Sequence, residues 1–256
     1  MKNEKISQEH IAVFAAHPDD EGSVWGTLQK YYEFGSKISL IWMTCGDKFI
    51  ASVKKYVNYL PLLIKSFYSK KIQEKLSIRI SEIRKKEAIM VANLINATPY
   101  FLEFKDTEIP SFKDKIALKK IVGLIRKIKP TIILTHWNNE LHKDHKNTSN
   151  LITKSYFLSD NPNIITDHAP YKPRILAFWD ERGKNFKPNF FLNVSDQISY
   201  IKKWGKYYNS QSFRIVGRFV KFRYSINAKK TPYSYAEAYY IYNKKSGKSF
   251  GQFFPK

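Results

Sequence analysis

Residues 10–21 read HIAVFAAHPDDE: an apolar run of strand length ends directly in a histidine, a proline and three acidic residues. The apolar part predicts a buried β-strand. Open α/β sheets bind their ligands at the carboxyl ends of the strands, so the polar residues stand where a functional site is expected. The turn has no G-x-G-x-x-G pattern, which excludes a dinucleotide phosphate cradle at this position.

Further along the chain, apolar runs alternate with segments of helical periodicity. The strand-like runs include KISLIWMTCG, YFLEF and TIILTHW, and the helix-like segments include VWGTLQKYYEFG, EIRKKEAIMVANLIN and DKIALKKIVGLIRKIK. This alternation predicts βαβ units. We therefore expect an α/β fold, a Rossmann-like open sandwich with a mostly parallel sheet and helices on both faces. With no internal repeat or linker, residues 1–256 are expected to form a single domain.

Composition limits the class of protein. The chain has 256 residues, 43% of them hydrophobic, and it carries a formal net charge of +22. These values fit a globular protein with a basic surface, and the charge is compatible with nucleic acid, anionic lipid or an acidic substrate. A single cysteine, Cys45, excludes an intramolecular disulfide and a cysteine-based zinc site. The first apolar run is too short for a signal peptide or a membrane span, so we expect a cytoplasmic protein, with peripheral membrane attachment as an alternative.

One basic segment interrupts the alternation. Residues 49–86 contain ten lysines and arginines and two glutamates, in a stretch longer than a connection between strand and helix requires. Apolar residues recur there at roughly helical spacing. We predict a basic helical insertion at about residues 49–78 that contacts an anionic membrane surface or covers a lipid- or phosphate-bearing substrate. A packed lid helix with its lysines facing water is the alternative.

A second polar cluster follows another predicted strand. TIILTHW leads into NNELHKDH, residues 138–145, as the first strand leads into HPDDE. Loops at equivalent strand ends can converge, and imidazole and carboxylate groups bind zinc. His17, Asp20 and His145 would supply the three protein ligands that a catalytic zinc site needs. Taken singly, each cluster also fits a helix N-terminus or surface histidines.

The remaining polar residues suit catalysis beside such an ion. Asp19 would take a proton from the attacking water. His142, with Asp144 nearby, would stabilise the oxyanion or protonate the leaving amine. The pattern thus favours a metal-dependent hydrolase.

The motifs AAHPDDE at 15–21 and THWNNELHKDH at 135–145 resemble the two signatures of the PIG-L/LmbE-like family of zinc-dependent N-deacetylases. Between them, Arg84 and Glu87 stand where the family has an R-x-x-E-A helix, and Asp106 stands at a similar strand exit. The resemblance extends over residues 10–211. It implies an LmbE-like fold and a deacetylase activity.

The resemblance also implies a role for each matching residue. The metal, Zn²⁺ or another divalent ion such as Fe²⁺, would be bound by His17, Asp20 and His145. Asp19 would be the general base, and His142, oriented by Asp144, would stabilise the tetrahedral intermediate. Arg84 and Asp106 would contact the sugar, with Arg79 as a substitute for Arg84.

The implied reaction is de-N-acetylation of a substrate that contains N-acetylglucosamine, releasing acetate and a free amine. The expected partner is a small-molecule or lipid-linked amino sugar, and nucleic acid is not expected. One alternative is a zinc amidase acting on a non-sugar or thiol-conjugate amide. Another is a basic protein that binds nucleic acid through its many tyrosines and phenylalanines. The sequence determines neither the group attached to the sugar nor the oligomeric state.

Overall fold

The computed structural model describes residues 9–48, 70–180, 183–211 and 213–242. Seven strands form one sheet. Numbered along the chain, they are β1 (His10–Ala15), β2 (Lys37–Thr44), β3 (Thr98–Phe104), β4 (Ile132–His136), β5 (Ile175–Trp179), β6 (Phe190–Asn193) and β7 (Ala236–Ile241). Every strand-like run quoted above overlaps one of them.

Six α-helices surround the sheet within the described ranges. They are α1 (Trp25–Glu33), α2 (Lys70–Asn93), α3 (Lys115–Ile128), α4 (Lys143–Leu158), α5 (Ile198–Gly205) and α6 (Phe213–Ala228). A short 3-10 helix, Asp20–Val24, precedes α1. The three helix-like segments of the sequence correspond to α1, α2 and α3, whereas α4 and α6 were not singled out by their periodicity.

The sheet confirms the predicted fold class. Its strand order is β3-β2-β1-β4-β5-β7-β6. The first five strands in that order are parallel, and the last two pair in antiparallel fashion at one edge. Since β1 lies beside β4, the loops that follow these two strands leave the same edge of the sheet next to each other.

Alternate residues of β1 face opposite sides, and each side has its own core. Ile11 and Val13 pack with residues of α1, α2, α5 and α6. Ala12 and Phe14 pack with residues of α3 and α4. Because both faces are covered, the central strands are apolar on both sides, which explains their near-continuous apolar sequences.

The predicted insertion is only partly within the described ranges. Residues 49–69 of the 49–78 segment lie outside them, while the segment from Lys70 onward forms the beginning of α2. Helix α2 then continues to Asn93 without a break. None of the helices in the described part of the chain is long and apolar enough to span a membrane.

Candidate metal and catalytic site

The loop after β1 folds back on itself immediately. The backbone N–H of His17 donates to Oδ2 of Asp20 at 2.7 Å, and the N–H of Asp20 donates to the carbonyl of His17 at 3.3 Å. Between them Asp19 has φ 111° and ψ −20°, a backbone conformation that favours glycine. This tight turn directs His17 and Asp20 toward the loop after β4.

The loop after β4 leads into the N-terminus of α4. His142 is the N-cap residue, and its Nδ1 accepts the backbone N–H of Asp144 at 3.2 Å. Side chains such as this one satisfy the N–H groups that a helix leaves unbonded at its first turn. Asp144 and His145 are then buried in that first turn.

The structure brings the three predicted metal ligands together. Nε2 of His145 lies 3.4 Å from Oδ1 of Asp20, and Nδ1 of His17 lies 3.4 Å from Oδ2 of Asp20. Two ligand atoms bound to one tetrahedral zinc ion stand about 3.3 Å apart, since each bond is about 2.0–2.1 Å long. Each histidine nitrogen therefore lies at this spacing from Asp20, through a different oxygen of the carboxylate.

Potential ligands form three overlapping groups whose atoms lie within 4.8 Å of one another. They are His17 with His142 and His145, Asp20 with His136 and His145, and His17 with Asp106 and Asp144. The three predicted ligands, His17, Asp20 and His145, are thus distributed over these groups. Asp20 contacts both His17 and His145. The cluster could bind a metal ion.

His136, the last residue of β4, was missed by the sequence analysis, which treated it as part of the strand. It is fully buried, its ring stacks on that of His145 with centroids 4.0 Å apart, and its Nε2 is 3.4 Å from Oδ2 of Asp20. The same Nε2 accepts the N–H of Ala16 at 3.0 Å. The Nε2 atom thus accepts a backbone hydrogen bond, while the ring packs against that of His145. The position of His136 at a strand end was the available signal.

Two carboxylates lie against the other nitrogen of His17. Oδ1 of Asp106 and Oδ2 of Asp144 are both 3.2 Å from Nε2. Burial alone would lower the pKa of His17, but the bonds to Asp106, Asp144 and Asp20 raise it well above its ordinary value. A carboxylate bonded to one ring nitrogen orients a ligand histidine and increases its basicity at the other.

Backbone groups hold these two carboxylates in place. Asp106 accepts the N–H of Lys48 at 2.8 Å, and Asp144 accepts the N–H of Thr107 at 2.7 Å. Asp144 was expected to orient His142, and this role stays a prediction: its backbone N–H donates to Nδ1 of His142, whereas its carboxylate contacts His17. For Asp106, contact with a sugar stays a prediction, and its observed partner is His17.

Arg84, in α2, is 3% exposed and lies under the turn that carries Asp19. Its guanidinium donates to the carbonyls of Gly46 and Pro18, and one nitrogen is 3.2 Å from Oδ1 of Asp19. The predicted sugar contact of Arg84 stays a prediction. Arg79, the substitute considered for it, is exposed on the surface of the same helix.

The environment of Asp19 raises the affinity of its carboxylate for a proton. Burial, together with the negative charges of Asp20 and Glu21, raises its pKa to about 8 against the opposing charge of Arg84. Its side chain is 20% exposed, so it remains reachable from solvent. Titratable groups perturbed in this way are concentrated at functional sites.

His142 is exposed at the mouth of the cluster, and its pKa is lowered by burial and by the charges of His145 and His17. Since its Nδ1 accepts a hydrogen bond, the neutral ring carries its proton on Nε2. The residue can therefore donate one hydrogen bond to a group bound beside the cluster.

A second carboxylate pair near the same edge was not recognised from the sequence. Asp180 follows β5, and burial together with the neighbouring charge of Glu140 raises its pKa to about 7. Arg223 of α6 lies 3.8 Å from Asp180. Glu140 belongs to the second motif, but no sequence pattern around Asp180 indicates that the two carboxylates are neighbours.

Comparison with known proteins identifies the family of the chain. A family model described as PIG-L, GlcNAc-PI de-N-acetylase, matches residues 12–156, which is more than half of the chain. The fold and the His/Asp cluster define an α/β protein with a candidate metal site at the carboxyl edge of its sheet. The chain belongs to the PIG-L family, which confirms the resemblance seen in the sequence and supports a hydrolase of the deacetylase class.

Solved structures share the fold at low sequence identity. The N,N'-diacetylchitobiose deacetylase from Pyrococcus horikoshii is 21% identical with a TM-score of 0.75, covering 94% of this chain and 86% of that one. GalB, the 4-carboxy-2-hydroxymuconate hydratase from Pseudomonas putida KT2440, is 14% identical with a TM-score of 0.73, covering 94% and 99%. A zinc inhibited form of the teicoplanin deacetylase Orf2 is 14% identical with a TM-score of 0.60, covering 91% and 97%. A hydratase among these neighbours indicates that the fold alone does not determine the reaction.

Proposed function

We propose that the protein hydrolyses the acetamide of a substrate containing N-acetylglucosamine and releases acetate and a free amine. The observation that carries the proposal is that His17 and His145 both contact Asp20, with Asp19 in the turn between His17 and Asp20. Family membership supports the deacetylase class. The sugar substrate rests on the description of the family and on the diacetylchitobiose deacetylase that shares the fold.

The residues in and around the cluster have separate roles in the proposed reaction. His17, Asp20 and His145 would hold a divalent ion, which when bound lowers the pKa of water and polarises the acetamide carbonyl. Asp19 accepts the proton of the attacking water and can return it to the leaving amine, a role that suits a carboxylate whose pKa is raised. His142 donates a hydrogen bond from its Nε2–H to the oxyanion as it forms and keeps its proton.

Asp19→Asn tests the proposed base. The amide keeps the shape of the side chain and an oxygen for Arg84 but cannot accept a proton, so we expect kcat to fall by about 10²–10⁴-fold. Acetate release would be measured on a panel of free, oligomeric and lipid-linked N-acetylglucosamine derivatives, with non-sugar acetamides beside them. Both proteins would be loaded to the same metal content.

Three outcomes distinguish the hypotheses. Release from sugars that is lost in Asp19→Asn supports the proposal. Release from non-sugar amides alone supports the alternative amidase. Release that is unaffected by the substitution contradicts the role of Asp19, and no release from any acetamide by the loaded wild type contradicts the proposed function.

Membrane contact is a separate proposal. Residues 49–69 lie outside the described part of the chain, so this proposal is argued from the charge of the sequence. A net charge of +22 makes attraction to anionic lipid the physical basis. Flotation with phosphatidylserine vesicles, compared with neutral vesicles at low and high salt, tests it. Absence of salt-sensitive binding would contradict this contact and leave the hydrolase proposal unchanged.

A further inference from the structure

Glu21 is a buried carboxylate that accepts four hydrogen bonds. Oε1 accepts the indole N–H of Trp204 at 2.9 Å and the hydroxyl of Tyr208 at 2.6 Å. Oε2 accepts the indole N–H of Trp42 at 3.0 Å and the backbone N–H of Asp19 at 3.1 Å. The side chain is fully buried and lies outside the three groups of potential metal ligands.

Three of its partners belong to the scaffold. Trp42 lies in β2, Trp204 lies in α5, and Tyr208 follows α5. Trp204 approaches so closely that a Cβ at Gly22 would stand 2.2 Å from its ring, which only glycine permits. The scaffold thus fixes the position of the Glu21 carboxylate from several directions.

The fourth partner of Glu21 is Asp19, whose backbone is strained. Asp19 has φ 111°, and such a conformation costs a residue with a side chain on the order of 1–3 kcal/mol. Strain of this kind persists only where surrounding contacts enforce it. The bond from the Asp19 N–H to Oε2 of Glu21 is one such contact, and the guanidinium of Arg84 on the Asp19 carboxylate is another.

We propose that Glu21 is a positioning residue: it holds the backbone of Asp19 in its strained conformation and so keeps the Asp19 carboxylate beside the His17–Asp20–His145 cluster. Glu21 itself touches neither substrate nor metal. A displacement of about 1 Å can reduce a rate by about 10²-fold, so the effect of Glu21 is expected in kcat. The rate argument rests on the proposed function, whereas the backbone argument does not.

Glu21→Gln tests the proposal because it preserves size and removes acceptor capacity. The amide nitrogen would face two of the four donors, and the two indoles and the backbone N–H cannot accept a hydrogen bond. Glu237→Gln is a matched control. Glu237 is also fully buried and accepts the N–H groups of Gly26 and Thr27 at 2.7 and 3.1 Å and the Tyr239 hydroxyl at 2.7 Å, but it holds α1 and not Asp19.

For Glu21→Gln we expect kcat to fall by about 10–100-fold with KM within about threefold and metal content unchanged. For Glu237→Gln we expect kcat within about twofold of the wild type, since the site is not touched. Crystal structures of the two metal-loaded variants should show Asp19 at a different backbone conformation in Glu21→Gln only.

The proposal is overturned if Asp19 keeps its φ in Glu21→Gln, or if kcat in that variant equals that of Glu237→Gln. Should Glu21→Gln fail to fold, Tyr208→Phe tests the proposal instead. This variant removes one of the four hydrogen-bond donors to Glu21 and changes the side chain only by a hydroxyl group. It should lower kcat by a few-fold at unchanged KM, and an unchanged kcat contradicts the proposal. If the wild type hydrolyses no acetamide, the proposed function fails, and the conformation of Asp19 in the variants still decides the role of Glu21.

Discussion

Asp144 contacts two histidines of the site through different groups. Its carboxylate lies 3.2 Å from Nε2 of His17, while its backbone N–H donates to Nδ1 of His142. The first contact orients a candidate ligand and the second selects the tautomer of a candidate hydrogen-bond donor. One residue at the start of α4 thus contacts both rings.

His142→Ala should lower kcat by about 10²-fold with little change in KM, because the lost donor acts on charge that develops only in the transition state. Steady-state acetate release at equal metal content measures this. His168→Ala is the matched control, since His168 is exposed and lies outside the candidate metal groups. Equal activity of the two variants would contradict the role of His142.

Asp180 gives a pH-dependent prediction for stability. Its pKa is raised to about 7 by burial and by Glu140, so its ionisation costs stability in the folded state as pH rises from its ordinary pKa toward 7. Asp180→Asn removes that cost. We expect the free energy of unfolding of the variant, relative to the wild type, to increase by on the order of 1 kcal/mol between pH 5 and 8.

Urea unfolding at several pH values measures this difference. Asp160→Asn is the control, because Asp160 is a half-exposed partner of Lys172 on the surface. Parallel curves for the wild type and Asp180→Asn would contradict the prediction.

At the scale of elements, Arg126 anchors the C-terminal end of α4, the helix in which the second motif ends. Arg126, near the end of α3, is 1% exposed. Its guanidinium donates to the carbonyls of Ser159 at 2.8 Å, Asn161 at 2.7 Å and Ile164 at 2.6 Å. These carbonyls follow α4 directly, so one side chain ties the end of α4 and its loop to α3.

Arg126→Lys should lower the free energy of unfolding by about 2 kcal/mol, since an ammonium group cannot reach three carbonyls that a planar guanidinium reaches. Lys127→Met, an exposed neighbour, should change it by less than about 0.5 kcal/mol. Chemical denaturation measures both. Equal stability of the two variants would contradict the anchoring role.

At the scale of the whole molecule, the site exists only because the sheet places β1 beside β4. His17 and Asp20 follow β1, whereas His145 lies in α4, far along the sequence. An unfolded chain holds these groups apart. A metal that binds this site therefore binds the folded state and stabilises it.

Metal loading should raise the melting temperature. At a free metal concentration about 100 times Kd, binding adds about 2.7 kcal/mol, which corresponds to an increase of about 5–10 °C for a chain of this size. Calorimetry of protein treated with chelator and then with Zn²⁺ or Fe²⁺ measures the increase. It should be absent in His145→Ala, and an equal increase in that variant would contradict the assigned ligand.

The sequence by itself determined the α/β class, the strands that end in polar clusters, and the pairing of His17, Asp20 and His145 as candidate ligands. These inferences depend on local periodicity and on the rule that parallel strands end at one edge of a sheet. Tertiary structure alone decided the contacts of His136, the position of Arg84 beneath Asp19, and the bond from Trp204 to Glu21. The physical reason is that hydrogen bonds between distant residues depend on packing and strand register, which leave no pattern in neighbouring residues.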